Sequence, residues 1–165
     1  PLRAPNVVGN IPFHLTTPIL RRLLTTGTWT HAVLLTQWEV ARKRAGVGGS
    51  TMMTAQAAPW FTFELVERVP SHCFAPRPSV DGGILTISRR GSSLLPASRR
   101  RTYDRFVRAV FTGSGGTLDR LIARATGTGV DRTRQILQSK RIDRRTLPRD
   151  LTAADWSAGF LGVCG

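Results

Sequence analysis

The sequence predicts an α/β region followed by a small all-α region. Three observations predict it. Over residues 1–90, short apolar runs alternate with amphipathic stretches, the signature of strands and helices in turn. Over residues 91–165 the strand-like runs stop and three or four helical stretches follow. The charge changes at nearly the same place: residues 1–88 hold 8 basic and 4 acidic side chains, residues 89–165 hold 16 and 6.

The elements follow in order. Residues 6–9 read as a buried strand broken at Gly9. Thr16 or Thr17 can cap a helix with Pro18 in its first turn, and Gly27 stops it. Residues 31–37 are a second apolar strand, and residues 38–45 a short helix ending at Gly46. Residues 47–51 read as a flexible loop and 51–58 as helical. Residues 60–69 alternate as a strand does, 70–83 form a loop punctuated by proline and glycine, and 84–90 are a last strand. Residues 91–98 read as a linker. Helices are then expected over 101–112, 118–125, 132–139 and 153–161, with Asp131 and Thr152 as N-caps. Tyr103, Phe106, Val107, Val110 and Phe111 share one helical face and are expected in a core. Trp29, Trp38 and Trp60 are expected in a core or interface.

Composition narrows the function classes. A chain of 165 residues suits one domain, or a domain with a small appendage, and can bury a core without staples. Two cysteines, Cys73 and Cys164, and no secretory signal point to a reducing, cytoplasmic setting. No apolar run reaches the roughly 18 residues that cross a bilayer. His14, His31 and His72 show no metal-ligand spacing with the cysteines, so no metal is expected. The net charge of +14 points to a polyanion, most often nucleic acid. Nearly all of the basic side chains are arginine, whose fork suits phosphate and guanine edges; Lys43 and Lys140 are the exceptions.

One short stretch carries chemistry: Asn10-Ile11-Pro12-Phe13, at the end of the first strand. Open α/β sheets place their sites at strand ends. Pro12 fixes the backbone and donates no hydrogen bond, so carbonyls here are expected to point into space. An amide oxygen and a nearby carbonyl can together accept both hydrogens of an exocyclic amine. An adjacent aromatic ring can stack on the heterocycle bearing it. Two fixed acceptors favour a tetrahedral nitrogen whose lone pair can attack a methyl sulfonium in line. The arrangement suits adenine amine chemistry. Taken alone, the four residues equally describe a strand-end turn with a core Phe.

The surroundings add to it. Residues 6–24, 34–46 and 69–90 carry three motifs in order: Asn-Ile-Pro-Phe, Gln37-Trp38-Glu39-Val40-Ala41-Arg42, and Phe74-Ala75-Pro76-Arg77-Pro78-Ser79-Val80. On these motifs the sequence resembles the Erm family of ribosomal RNA adenine N6-dimethyltransferases, of actinobacterial type, and more distantly the small-subunit rRNA dimethyltransferases. The resemblance covers essentially the whole chain. It implies the second half of a Rossmann-like S-adenosylmethionine-dependent methyltransferase domain over 1–90, followed by a basic helical RNA-binding domain over 91–165. It implies a catalytic set of Asn10, Pro12, Phe13 and Phe74, with Asn10 between the cofactor S-adenosyl-L-methionine and the target amine. Phe13 and Phe74 would take the two faces of the flipped adenine. The implied partner is 23S rRNA, and dimethylation there blocks macrolide, lincosamide and streptogramin B antibiotics.

Arg42, Lys43, Arg44, Arg99, Arg100 and Arg101 are candidate RNA contacts. No membrane is expected as partner, and the protein is expected to be a monomer. The family's glycine-rich cofactor loop and acidic ribose residue have no counterpart: residues 46–50 follow a helix-like stretch and 113–116 sit in the basic tail. The chain is therefore expected to be the C-terminal part of such an enzyme, inactive by itself. Alternatives are small-subunit rRNA dimethylation, DNA adenine methylation, and a non-catalytic RNA-binding fragment.

Overall fold

The apolar runs of the first ninety residues pair into one mixed sheet. The computed structural model describes residues 5–165. In chain order its elements are β1 (Val7–Asn10), α1 (Thr16–Thr25), β2 (His31–Gln37), α2 (Trp38–Arg44), α3 (Met52–Ala57), β3 (Phe61–Val69), β4 (Gly82–Arg89), α4 (Arg100–Thr112), α5 (Leu118–Thr126), α6 (Val130–Ser139) and α7 (Ala153–Cys164). Short 3-10 turns precede α1, α4 and α7, and another follows β3. Contacts divide the chain into two units. One holds the chain up to Gly48 together with Phe61–Gly91; the other holds Gly49–Trp60 and Ser92–Gly165.

The first unit is the sheet, in the order β1-β2-β4-β3. β1 runs parallel to β2, with Val7 opposite Ala32 and Asn10 opposite Leu35. α1 is the crossover that a parallel pair requires. Its apolar stripe buries Leu20 and Leu24. β4 lies antiparallel to both β2 and β3, and a bulge shifts the β3 register between Leu65 and Glu67. Leu34, Leu85 and Ile87 are nearly fully buried. Trp29 stacks on Phe61 at 5.3 Å, and the Arg89 guanidinium lies over both rings. Arg89 also donates to the carbonyls of Trp29 and Thr26, which fastens the α1–β2 connection to the end of β4. α2 sits close on β4 because of Gly83. A Cβ there would stand 2.8 Å from the Ala41 Cβ.

In the second unit, four rings from α4 and α7 make the core. Tyr103, Phe106, Trp156 and Phe160 are at most 5% exposed and meet edge-to-face or tilted. Phe111 stacks on Trp156 at 5.6 Å. α3 joins this core through the Tyr103 hydroxyl, which donates to the Ala55 carbonyl at 3.0 Å. Asp119 is wholly buried. Burial pushes its carboxyl up, but hydrogen bonds from Thr117, Arg134 and the Arg120 N–H outweigh it and hold the group below the usual range.

Several local expectations change. Thr16 and Thr17 do not cap α1: its N-cap is Leu15, without a side-chain hydrogen bond. The buried Thr16 hydroxyl instead contacts the Phe13 carbonyl and the Thr36 hydroxyl, at 3.1 and 2.9 Å. Residues 91–98 are not a free linker. Leu95 is 1% exposed, and its carbonyl accepts the Trp60 indole N–H. Asp131 lies inside the first turn of α6, whose N-cap is Gly129. The sheet's last strand starts two residues earlier than expected, at Gly82, because two glycines let it pair fully with β2. Among the described residues no helix is long and apolar enough to cross a membrane.

Thr152 does cap α7: its hydroxyl accepts the Asp155 N–H, and Asp155 reaches back to the Thr152 N–H. Thr152→Ala should therefore lower stability by about 1 kcal/mol, within a range of about 0.5–2. A thermal melt of the variant checks this. An unchanged melting temperature would show that the α7 cap contributes nothing.

Candidate functional site

The site is built where β1 ends. The Ile11 N–H donates to the Leu35 carbonyl at 2.9 Å, the last bond holding the chain to β2. Beyond it Pro12 turns the backbone into a 3-10 turn over Phe13–Leu15. Ile11 is buried, Asn10 is exposed and Phe13 is half-buried. Two carbonyls expected to point into space are engaged: Pro12 accepts the Leu15 N–H, and Phe13 accepts the Thr16 hydroxyl. The Ile11 carbonyl and the Asn10 side chain take no hydrogen bond among the described residues. Two acceptors one residue apart are therefore left together at the strand end.

Phe74 reaches the same end of the sheet. Gly82, the first residue of β4, pairs with Gln37, the last of β2. A Cβ on Gly82 would stand 2.9 Å from the Phe74 Cζ and 3.0 Å from the Leu35 Cδ1. The Phe74 ring thus lies beside Leu35, the residue opposite Asn10. A side chain at position 82 would force that ring or the Leu35 tip to shift.

The loop that carries Phe74 is clipped by Asp81. Its carboxylate accepts the Ser71 N–H at 2.8 Å and the Arg68 Nε–H at 2.7 Å. Its carbonyl accepts the Trp38 N–H at 2.9 Å. The Ser71 N–H, then the Arg68 side chain, hold the Asp81 carboxyl below the usual carboxylate range. Trp38 is half-exposed, with the Arg68 guanidinium 5.4 Å from its ring centre. It lines a cleft of about 350 Å³ with Gln37, Glu39, Arg68, Ser79 and Asp81. Trp29 and Trp60 are in the cores, at 4% and 6% exposed.

The candidate RNA contacts are divided. On α2, Lys43 is exposed, while Arg42 pairs with Glu39 at 3.2 Å. Arg44 is half-buried, and burial followed by the charge of Arg21 lowers its pKa. At the start of α4, Arg101 is exposed. Arg100 lies over the Trp60 ring at 5.0 Å. Arg99 lies over Phe160 at 5.2 Å and donates to the Cys164 carbonyl. Sequence reasoning missed Gly82 and Arg68 as the frame of the Phe74 loop. The glycine pair at 82–83 was a visible signal, but what approaches each glycine is a tertiary fact. Among the described residues no three His, Cys, Asp or Glu side chains are grouped to hold a metal.

Comparison with known proteins places the chain. The profile of the ribosomal RNA adenine dimethylase family matches residues 3–161. The mycinamicin-resistance protein MyrB of Micromonospora griseorubida is 51% identical over 154 residues, 93% of this chain and 49% of that protein. An rRNA adenine N-6-methyltransferase of Corynebacterium diphtheriae is 58% identical over 118 residues, 72% of this chain and 47% of that protein. The chain thus spans about half the length of these curated relatives. A crystal structure of the 23S rRNA methyltransferase ErmE superimposes with a TM-score of 0.85 at 29% identity. It covers all of this chain and 67% of that one.

The Asp81 clip has a pH signature. A carboxylate whose folded pKa is depressed stabilises above its unfolded pKa, and the stabilisation is lost as pH falls through the folded value. Asp81→Asn should therefore melt lower than the parent at neutral pH, with the gap closing as pH falls below about 4. Melting curves of both proteins across that range check this. A gap that does not change with pH would mean that the Asp81 charge is not what closes the loop.

Proposed function

The chain belongs to the ribosomal RNA adenine dimethylase family, and from that membership we propose that its residues serve N6-dimethylation of an adenine in 23S rRNA. The observation that carries the proposal is the pair of open acceptors, the Asn10 amide oxygen and the Ile11 carbonyl, at the carboxyl end of β1. Resistance to macrolides and related antibiotics is the proposed consequence, supported by the similarity to the mycinamicin-resistance protein. Residues 1–90 are proposed as the C-terminal half of a Rossmann-like catalytic domain, and 91–165 as a small helical RNA-binding domain. The proposed setting is a monomer in the cytoplasm, with 23S rRNA as partner.

The proposed methyl donor is S-adenosyl-L-methionine, which supplies an electrophilic methyl group when bound. Asn10 suits one edge of such a donor. The glycine-rich stretches among the described residues do not form its cradle. Residues 46–50 lead from α2 to α3 and residues 113–116 from α4 to α5, so neither joins a strand to a helix. What these residues build is the adenine side.

The geometry there supports the following roles. Asn10 and the Ile11 carbonyl accept the two hydrogens of the exocyclic amine. Accepting both draws the nitrogen lone pair out of conjugation and aims it. No strong base is needed, because the amine once methylated and positively charged is acidic enough to release its proton. Pro12 holds Phe13 beside the acceptors, and Phe74 is held at the same sheet end by Asp81 and Gly82. Each ring can offer a stacking face that offsets the cost of unstacking the base, a few kcal/mol. Arg42, Lys43, Arg44, Arg99, Arg100 and Arg101 are proposed for the phosphates, with Lys43 and Arg101 the most exposed of them.

The test is a chimaera in which this chain follows the amino-terminal half of the Micromonospora relative, assayed for methyl transfer to 23S rRNA. Transfer of two methyl groups to one adenine supports the reading. A folded chimaera that binds RNA and donor yet transfers nothing would make this chain a non-catalytic RNA-binding segment. In the active chimaera, Asn10→Ala should lower the maximal rate about 10²–10³-fold with RNA affinity nearly level. Phe13→Ala and Phe74→Ala should each cost about 1–3 kcal/mol in binding and placing the base, while Phe13→Tyr keeps most activity. Melting temperatures of the same variants separate stacking from packing: a Phe74→Ala loss that merely tracks unfolding would assign that ring to the core.

A further inference from the structure

Between α5 and α6 the chain turns through residues 127–129, with Gly127 in the left-handed region at φ 76°. Beside the turn lies a cavity of about 430 Å³. It is lined by Arg120 and Arg124 of α5, by Gly127, Thr128 and Gly129, and by Val130 of α6. No carboxylate is among its lining residues. The acids of the same hairpin are engaged elsewhere: buried Asp119 takes Arg134 at 3.1 Å, and Asp131 meets the same guanidinium at 3.3 Å. Arg120 and Arg124 have no carboxylate within ion-pair distance among the described residues.

Both arginines run beside the glycine-rich stretch 113–116. The Arg124 guanidinium donates to the Ser114 carbonyl at 2.8 Å. The Arg120 stem passes 3.3 Å from where a Cβ on Gly116 would be, and Gly116 has φ 104°. A stretch that forms no cofactor cradle thus touches both side chains, and both arginines line the cavity. Gly129, also on its lining, offers α6 no side-chain cap.

We propose that this cavity binds a phosphodiester group of the RNA backbone, an inference that rests on the RNA-modifying reading above. Charge complementarity argues for it. The cavity carries two guanidinium groups and no compensating acid, in a region with 16 basic and 6 acidic side chains. Guanidinium forks match phosphate oxygens in pairs. Arg124, already held by the Ser114 carbonyl, loses less freedom on binding than a free side chain does.

The experiment measures the affinity of the 165-residue chain for a fluorescently labelled RNA hairpin at several KCl concentrations. Arg120→Gln/Arg124→Gln should reduce the slope of log affinity against log salt by about one to two. Arg120→Lys/Arg124→Lys should keep the slope. If the double Gln variant melts early, Arg120→Gln alone serves, because the Arg120 head makes no hydrogen bond among the described residues. It should lower the slope by up to about one. An unchanged slope in a folded variant overturns the proposal and leaves the RNA-modifying reading standing. A parent chain with no salt-dependent RNA affinity removes both. Inorganic phosphate is the second probe, at constant ionic strength. If it raises the parent's melting temperature but not the variant's while the RNA slopes are equal, the cavity takes small anions and the RNA assignment is wrong.

Discussion

The hydrogen bond from the Ile11 N–H to the Leu35 carbonyl decides where everything else at the site can be. It ends the parallel pairing of β1 with β2 and so fixes where the chain may turn. Asn10 is held opposite Leu35 up to that point. Pro12 then forces the backbone away, and its carbonyl and that of Phe13 are taken up by the turn that starts α1. The Ile11 carbonyl, just before them, takes no hydrogen bond among the described residues. The same Leu35 touches the space above Gly82 into which Phe74 reaches, so one β2 residue registers both halves of the site.

The second half of the site depends on charge rather than on strand pairing. The Phe74 loop has little apolar burial of its own: most of residues 71–80 are exposed. Its ends are tied by Asp81, which accepts from Ser71 and Arg68 through its carboxylate and from Trp38 through its carbonyl. Arg68 in turn lies over the Trp38 ring. Loops carrying functional residues are commonly positioned by a rigid scaffold in this manner. Here the scaffold is the junction of β2, α2 and β4, and Gly82 and Gly83 keep it thin enough for a ring on one position and a helix on the other.

Most of the fold was legible because its elements are strongly periodic. β2 and α3 to α7 lie within a few residues of where the apolar spacing puts them. Misreadings came where a side chain has a tertiary partner. Thr16 looks like a cap in sequence but spends its hydroxyl on Phe13 and Thr36. Residues 91–98 look like a linker, yet Leu95 is buried and holds Trp60. At the site, Asn10, Pro12 and Phe13 are legible because they are contiguous and chemically unusual together. Gly82 was not, because its importance lies in residues up to 47 positions distant meeting at one strand end, Leu35 and Phe74. The arginines show the same limit: composition gives their number, while Arg99 is turned inward and Arg120 and Arg124 line a cavity.

The central claim is that Asn10 and Ile11 recognise an adenine through its exocyclic amine, with Phe13 and Phe74 against the base. Nuclear magnetic resonance of the 165-residue chain tests it most directly. Asn10 side-chain amide and Phe13 and Phe74 ring signals would be followed as an unpaired adenine-containing RNA oligonucleotide is added, and again with inosine at the same position. The account predicts shifts at all three residues with adenine and loss of the Asn10 shift with inosine, which lacks the amine. Equal Asn10 shifts with both bases, or shifts confined to the arginine-rich helices, would contradict it.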